Sequence, residues 1–142
     1  MSENIKPLSL VEGKAFIDGE EVLDSAKMTI RFVPKVASYK IVGKKGTHRR
    51  WVGYDIMGTL EEYKTTSRYE QIVKKYIADG KTPEFTIQGI RTDKDSDYYV
   101  ENGSESVTVT GVVITSEIPL LDIDTDGELV KESISFGARN VV

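Results

Sequence analysis

Apolar and polar residues alternate with a period of two along much of the chain. Residues 27–33, KMTIRFV, place polar and apolar side chains on opposite faces, as expected of a strand with one solvated face. Residues 51–63 repeat this alternation. Further strands are predicted at three segments: 84–90, 106–118 and 128–136.

Two positions indicate where this pattern turns or bends. Asp18-Gly19 lies between short apolar runs and is a strong signal for a two-residue hairpin turn. Pro34 interrupts the first alternating segment, and proline cannot donate to a strand ladder. We therefore expect a bend, a bulge or an edge position at Pro34.

One segment has the helical period instead and predicts a helix over about residues 67–79. Ser67 and Glu70 have the spacing of a capping box at its start, and Gly80 favours the left-handed conformation that ends a helix. The apolar residues that we expect to pack this helix on the rest of the protein are Tyr69, Ile72, Val73, Tyr76 and Ile77.

These elements predict a mainly β fold, a β-sandwich or barrel with one flanking helix, in a single domain over residues 1–142. Several of the strands are long, and an uncovered strand edge is a site for pairing with other chains. The sequence therefore leaves open how these edges are protected.

Composition excludes several kinds of chemistry. The 142 residues contain no cysteine and one histidine, which removes disulfides, thiolate chemistry and a multi-histidine zinc site within one chain. Glu61 and Glu62 are predicted on opposite strand faces, so they cannot act together as acid and base. We expect neither an enzyme nor a cofactor.

The chain also lacks apolar segments of the length that targeting or membrane insertion needs. Its first thirteen residues contain no apolar core of signal-peptide length, and no segment approaches the roughly 20 apolar residues of a membrane span. We expect a soluble protein without a membrane anchor that is made in the cytoplasm.

Positive charge is concentrated around residues 42–51, VGKKGTHRRW, although the net charge is −4. A strand-like segment follows, whereas a phosphate-binding loop would lead into a helix. Three interpretations remain: a solvated hairpin loop, a nucleic-acid contact and a loop that docks on an acidic protein surface. The residues concerned are Lys40, Lys44, Lys45, His48, Arg49, Arg50 and Trp51.

Two acidic segments resemble metal-binding loops. Residues 122–127, DIDTDG, match the start of a calcium loop, but Ser133 stands where the twelfth-position glutamate belongs. The flanking residues also have strand rather than helix patterns, so an acidic turn is favoured over a metal site. Residues 93–97, DKDSD, are interpreted as a loop.

The order of segments resembles a known family. VEGKAFIDGEEV near the start, the basic loop, and GYDIMGTLEEYKTTSRY before the helix are similar to the tail tube proteins of contractile phage tails, defective prophages and R-type bacteriocins. The resemblance continues through FTIQGIRTD and VTVTGVVITSEIPLLDIDTDGELVKESISF. It therefore covers nearly the whole chain.

This resemblance implies a subunit that forms hexameric rings, stacked into a rigid hollow tube inside a contractile sheath and assembled in the cytoplasm of a bacterial host. The tube would conduct DNA without binding it specifically, or pierce a cell envelope in a bacteriocin-like particle. Its partners would be further copies of the chain, the sheath protein, and the baseplate initiator and tail terminator proteins.

The resemblance also implies roles for particular residues. The basic loop 40–51 would stack on the next ring, with an acidic turn as one candidate receptor: Asp122, Asp124 and Asp126. The candidate lumen-facing residues are Lys27, Arg31, Asp55, Thr59 and Glu61. The alternative is a small β-barrel module that binds single-stranded nucleic acid through residues 40–51.

Overall fold

The computed structural model describes residues 4–9, 13–23, 25–121, 123–125, 127 and 129–142. These residues form eight strands and two helices: β1 Gly13–Ile17, β2 Glu20–Glu21, β3 Ser25–Tyr39, β4 His48–Tyr63, α1 Arg68–Asp79, β5 Phe85–Arg91, α2 Asp97–Asn102, β6 Glu105–Ile114, β7 Lys131–Ala138 and β8 Asn140–Val141. The mainly β fold predicted from the sequence is confirmed.

The strands form one antiparallel sheet in the order β2-β1-β5-β6-β7-β4-β3, and β8 pairs with β6. β6 is the strand at which the sheet bends: Glu105–Val112 pair with β5, and Val113 and Ile114 pair with β7. Gly111 lies at this bend with a φ of 63°, a conformation that glycine adopts without strain. The bend lets the two halves of the sheet face each other.

The core lies between these halves. Its completely enclosed side chains include Ile87 and Val109 from one half and Leu60, Ile134 and Phe136 from the other. All five belong to the apolar face of an alternating strand, as the sequence pattern requires.

α1 covers one side of this core. The predicted helix is confirmed, and its end is fixed by Gly80, whose φ is 71° and whose N–H donates to the carbonyl of Tyr76 at 2.7 Å. The predicted capping box is wrong, because the Ser67 side chain makes no capping hydrogen bond and Glu70 instead pairs with Lys74 at 3.2 Å.

The packing stripe of α1 is shorter than predicted. Tyr69 is buried, and Ile72 and Val73 are half-buried. Tyr76 is half-exposed, and Ile77 is 77% exposed, so the last turn of the helix extends beyond the sheet. The prediction that Ile77 packs on the sheet is therefore wrong within the subunit.

The turn and proline predictions agree with the structure. Asp18 and Gly19 both have positive φ, 51° and 83°, and join β1 to β2 in a two-residue hairpin. Pro34 lies in β3 at the edge of the sheet, and a bulge follows between Lys35 and Val36. β6 ends at Ile114, four residues earlier than predicted, because the chain there leaves the sheet.

The short helix α2 was not predicted. Ser96 caps it by accepting a hydrogen bond from the N–H of Tyr99 at 3.2 Å. Residues 93–97, at the start of this helix, hold the N-terminal segment, since the side chains of Asp93 and Asp97 accept hydrogen bonds from the N–H groups of Ser9 and Lys6, each at 3.1 Å. The carboxylates of these two aspartates therefore have a structural role, because they accept hydrogen bonds from backbone N–H groups.

Candidate assembly surfaces

The hairpin of β3 and β4 extends beyond the rest of the subunit. β7 pairs with β4 from Ile56 to Tyr63. Beyond the Phe32–Ile56 pair, β3 and β4 therefore pair with each other and with no third strand among the described residues. We call residues 33–55 the arm. A two-stranded ribbon is marginally stable alone in water, which makes the arm a natural surface for contact with another molecule.

One face of this hairpin is polar. Lys27 lies opposite Glu61, and the hydroxyl groups of Thr29 and Thr59 are 2.7 Å apart. The register continues this polar face along the hairpin and onto β7 through Arg31, Asp55, Ser133 and Ser135. The five residues predicted to face a lumen thus share one side of the sheet, opposite the core.

The other face of the hairpin is aromatic where it passes beyond the core. Phe32 stacks on Tyr54, with ring centroids 5.5 Å apart, and contacts Trp51 at 5.4 Å. The Tyr54 hydroxyl donates to the carbonyl of Arg139 at 2.8 Å, which fixes this ring. Val36 pairs with Trp51 on the same face. We call these four residues, Phe32, Val36, Trp51 and Tyr54, the aromatic face.

The bulge explains why the sequence pattern did not find the aromatic face. Simple alternation places Val52 with Tyr54 and puts Trp51 on the opposite side. The extra residue in β4 reverses this assignment, since Val36 pairs with Trp51 while Lys35 pairs with Gly53. Pro34 was the only sequence signal for this irregularity.

The end of the arm is strongly basic. Residues 40–47 are all exposed, and Gly43 turns the chain with a φ of 84°. Within the described residues, none of the five cations there forms an ion pair: Lys40, Lys44, Lys45, Arg49 and Arg50. We call residues 40–50 the basic tip. His48, at its base, stacks on Tyr39 at 5.4 Å.

The loop between β6 and β7 contains both carboxylate and aliphatic side chains. Residues 117–130 contain five carboxylate side chains and no basic residue. Of the predicted acidic turn, Asp124 is exposed and its carbonyl accepts from the N–H of Gly127 at 3.2 Å, whereas Asp122 and Asp126 lie outside the described residues. Among the described residues, no three carboxylate or histidine side chains converge as metal ligands. We call residues 117–130 the acidic loop.

The basic tip and the acidic loop lie at opposite ends of the subunit. β4 starts at the tip with His48 and ends at Tyr63, which pairs with Lys131 immediately after the acidic loop. Sixteen strand residues span about 50 Å at roughly 3.3 Å per residue. The cations of the basic tip therefore lie at one end of β4, and the acidic loop joins β7 through Lys131 at the other end.

Two ion pairs, each joining a buried carboxylate to a partly exposed cation, anchor the start of α1. Glu62 and Glu132 are cross-strand neighbours, 3% and 5% exposed. Glu62 pairs with Arg68 at 2.8 Å, and Glu132 pairs with Lys64 at 2.7 Å. We call these four residues the charge clip. Because both cations follow β4 directly, the clip holds the β4–α1 connection against β7.

The charge clip also affects the pKa values of two groups, Lys64 and Tyr69. The hydrogen bond to Glu132 raises the pKa of Lys64, against the opposing effect of desolvation. Burial, followed by the nearby Glu62 carboxylate, raises the pKa of the Tyr69 hydroxyl above its usual range. Sequence alternation placed Glu61 and Glu62 on opposite strand faces but gave no signal that Glu62 is buried or that Arg68 is its cation.

In the described part of the chain, neither helix has the length and apolar composition to cross a membrane.

Comparisons with known proteins agree with this geometry. Residues 7–140 match the phage tail tube protein family. Protein XkdM of the phage-like element PBSX of Bacillus subtilis (strain 168) is 29% identical over 125 residues, 88% of this chain and 82% of XkdM. The uncharacterized protein YqbM of the same organism is 30% identical with the same coverage.

Solved structures share the fold at lower sequence identity. The sheath/tube terminator of the extracellular contractile injection system PVC has a TM-score of 0.70 and 14% identity, covering 96% of this chain and 95% of that chain. The tube-terminating cap of the anti-feeding prophage has a TM-score of 0.66 and 17% identity, covering 100% and 93%. Since the family match spans nearly all of its length, this chain belongs to the phage tail tube protein family, as a structural tail tube component.

Proposed function

We propose that this tail tube protein assembles as hexameric rings that stack into a hollow tube. The observation that carries the proposal is the arm, a two-stranded projection whose two faces differ and whose end is basic. Sixfold symmetry is stated for two structures of similar fold, the anti-feeding prophage baseplate and the tail of a gene transfer agent particle.

The edges of the sheet support lateral association. In the part of the chain that the structure describes, β3 has a hydrogen-bonded neighbour on one side only, and a cleft of about 440 Å³ separates its first half from β1 and β5. The subunit alone is thus an open barrel with a long unpaired edge. Pairing this edge with a neighbouring subunit around a closed ring would remove it and stiffen the wall.

In such a ring the polar face lines the lumen. Its charges are mixed, with Lys27 opposite Glu61 and Asp55 diagonal to Arg31, and uncharged side chains lie between them, so the lining has no large region of one sign. DNA could then pass without specific binding, and an empty tube could serve as an envelope-piercing channel. The outer partners are the sheath, baseplate initiator and terminator proteins, and the role is structural rather than catalytic.

The basic tip would dock on acidic groups of the next ring. Each exposed ion pair contributes little, but a ring multiplies the contact by its number of subunits. The tip and the acidic loop lie at opposite ends of β4, which is the arrangement that head-to-tail stacking requires.

Charge reversal at the tip tests this proposal. Lys44→Glu with Lys45→Glu should leave the subunit folded, by circular dichroism and thermal unfolding. At physiological salt it should prevent rings from stacking in electron micrographs, because the reversed charges repel the acidic groups of the next ring. The control reverses two exposed lysines near α1, Lys75→Glu with Lys81→Glu, and should assemble normally. Normal tubes from the tip variant would show that the tip does not mediate stacking.

One observation favours a second function, the binding of single-stranded nucleic acid. Phe32, Trp51 and Tyr54 form an exposed aromatic cluster close to the arginines of the basic tip, and bases stack on such clusters. This function predicts oligonucleotide binding at about 50 mM salt that weakens steeply as salt rises. Absence of binding at that salt concentration would remove it.

A further inference from the structure

The aromatic face is a contiguous apolar patch in which the ring of Phe32 contacts those of Trp51 and Tyr54. Phe32, Tyr54 and Trp51 are 47%, 54% and 64% exposed, which leaves on the order of 300 Å² of aromatic surface in water. That is the size of a functional patch, and a substantial part of the roughly 800 Å² that each partner contributes to a stable interface. The aromatic side chains lie on the same face of the sheet as the buried Ile56, but farther along the hairpin, where the other half of the sheet does not cover them.

A complementary surface lies on the acidic loop of the same chain. Four of its aliphatic side chains point into solvent: Leu120 at 53%, Leu121 at 80%, Ile123 at 80% and Leu129 at 76%. They alternate with the carboxylates of this loop, which include Glu117 and Asp124. The loop therefore offers apolar contact and negative charge together.

Charge favours this loop over another apolar surface of the subunit, the groove beside α1. This groove has a volume of about 300 Å³ and is lined by Ile72, Val73 and Tyr76. Lysines and carboxylates are mixed around that groove, with Lys74 paired to Glu70, so it offers no net attraction to a basic partner. The acidic loop has five carboxylates and no cation, which complements the cations of the tip next to the aromatic face.

We propose that the aromatic face of one subunit seats on the aliphatic side chains of the acidic loop of a second copy, the next one along the tube axis. The inference rests on the proposed function and names the receptor of the arm. The basic tip with Glu117 and Asp124 of the loop forms the charged rim, and Phe32, Trp51 and Tyr54 with the exposed aliphatic side chains of the loop form the apolar centre. The interface is heterologous, so it propagates instead of closing as a dimer.

The apolar centre predicts a particular response to salt. At 1 M salt the screening length is about 3 Å, which removes most of the rim attraction. Burial of the aromatic face remains, so stacked assemblies should persist at this salt concentration. In contrast, Trp51→Ala should raise the concentration needed for stacking about 30-fold even at low salt, the change expected for a central aromatic residue of an interface.

Disulfide cross-linking tests the contact directly, because the natural chain has no cysteine. One population carries Val36→Cys, on the aromatic face, and a second carries Leu121→Cys, on the acidic loop. Mixed, assembled and oxidised, they should form a disulfide-linked heterodimer. The matched control replaces Leu121→Cys by Ile77→Cys, which is similarly exposed on α1, and should give no cross-link with Val36→Cys.

The outcomes separate the two proposals. Tubes that cross-link only through Val36→Cys and Leu121→Cys support the inference. Tubes without that cross-link, or with one to Ile77→Cys, would overturn it while leaving the tube function intact. Failure of the unmodified chain to form rings or tubes under any condition would overturn both, and a nucleic-acid complex of the aromatic face would replace them.

Discussion

Gly58 lies where a methyl group has no space. It belongs to the middle of β4 and is buried, with β3 on one side and β7 on the other. A Cβ added there would lie 2.5 Å from the carbonyl oxygen of Thr29 and would overlap the ring of Phe136. Because one obstacle is backbone within a paired strand, a side-chain rotation cannot relieve the overlap.

The expected cost of Gly58→Ala follows from these contacts. Overpacking in a core destabilises by about 1–3 kcal/mol, and a backbone obstacle places this site at the upper end. Replacing glycine also reduces the entropy of the unfolded chain, which stabilises the folded state by about 0.4–1 kcal/mol. We expect a net loss of about 2 kcal/mol, or a melting temperature lower by roughly 6 °C.

Two other glycines of the sheet provide the controls. At Gly53 an added Cβ would make an ordinary 3.7 Å contact with the side chain of Lys35, so Gly53→Ala should stay within about 0.5 kcal/mol of the natural chain. At Gly89 the obstacle is the terminal methyl of Met28, which can move, so Gly89→Ala should fall between the two. Urea unfolding measures all three, and equal stabilities for Gly58→Ala and Gly53→Ala would refute the packing argument.

Two further predictions concern the charge clip. Arg68→Met removes the cation beside the buried Glu62 carboxylate and should lower the free energy of unfolding by about 2–3 kcal/mol, measured with urea. The control Lys74→Met breaks an exposed ion pair on α1 and should cost below about 0.5 kcal/mol. Equal costs for the two variants would contradict the role of the charge clip. Stability should also fall above about pH 10, because Lys64 and Tyr69 have raised pKa values and hold protons in the folded state that the unfolded chain releases. Tyr69→Phe should reduce this alkaline loss, and an unchanged pH profile between 9 and 12 would show that Tyr69 does not contribute to it.

Much of the fold could be predicted from residues that are close together in the sequence. The helix, its glycine end and the Asp18-Gly19 hairpin depend on neighbours within one or two turns, so the sequence contains all of their causes. The polar face was predictable for the same reason, since side chains of a regular strand alternate. The failed capping box shows the limit: Ser67 and Glu70 have the right spacing, but Glu70 instead pairs with Lys74.

Features that depend on non-local pairing were not predictable. The aromatic face exists because the bulge in β4 moves Trp51 to the side of Phe32, and a bulge is fixed by the partner strand. Likewise, the charge clip joins Glu132 to Lys64 across 68 residues of sequence. The opposite placement of the basic tip and the acidic loop follows from the register of β7 on β4, which the sequence pattern does not specify.

The central claim is that this chain builds a tube, and electron microscopy tests it most directly. The purified protein, concentrated at physiological salt and examined with and without the initiator proteins of its own particle, should give rings with sixfold end views and hollow stacks of them. Uniform monomers in both samples would contradict the account.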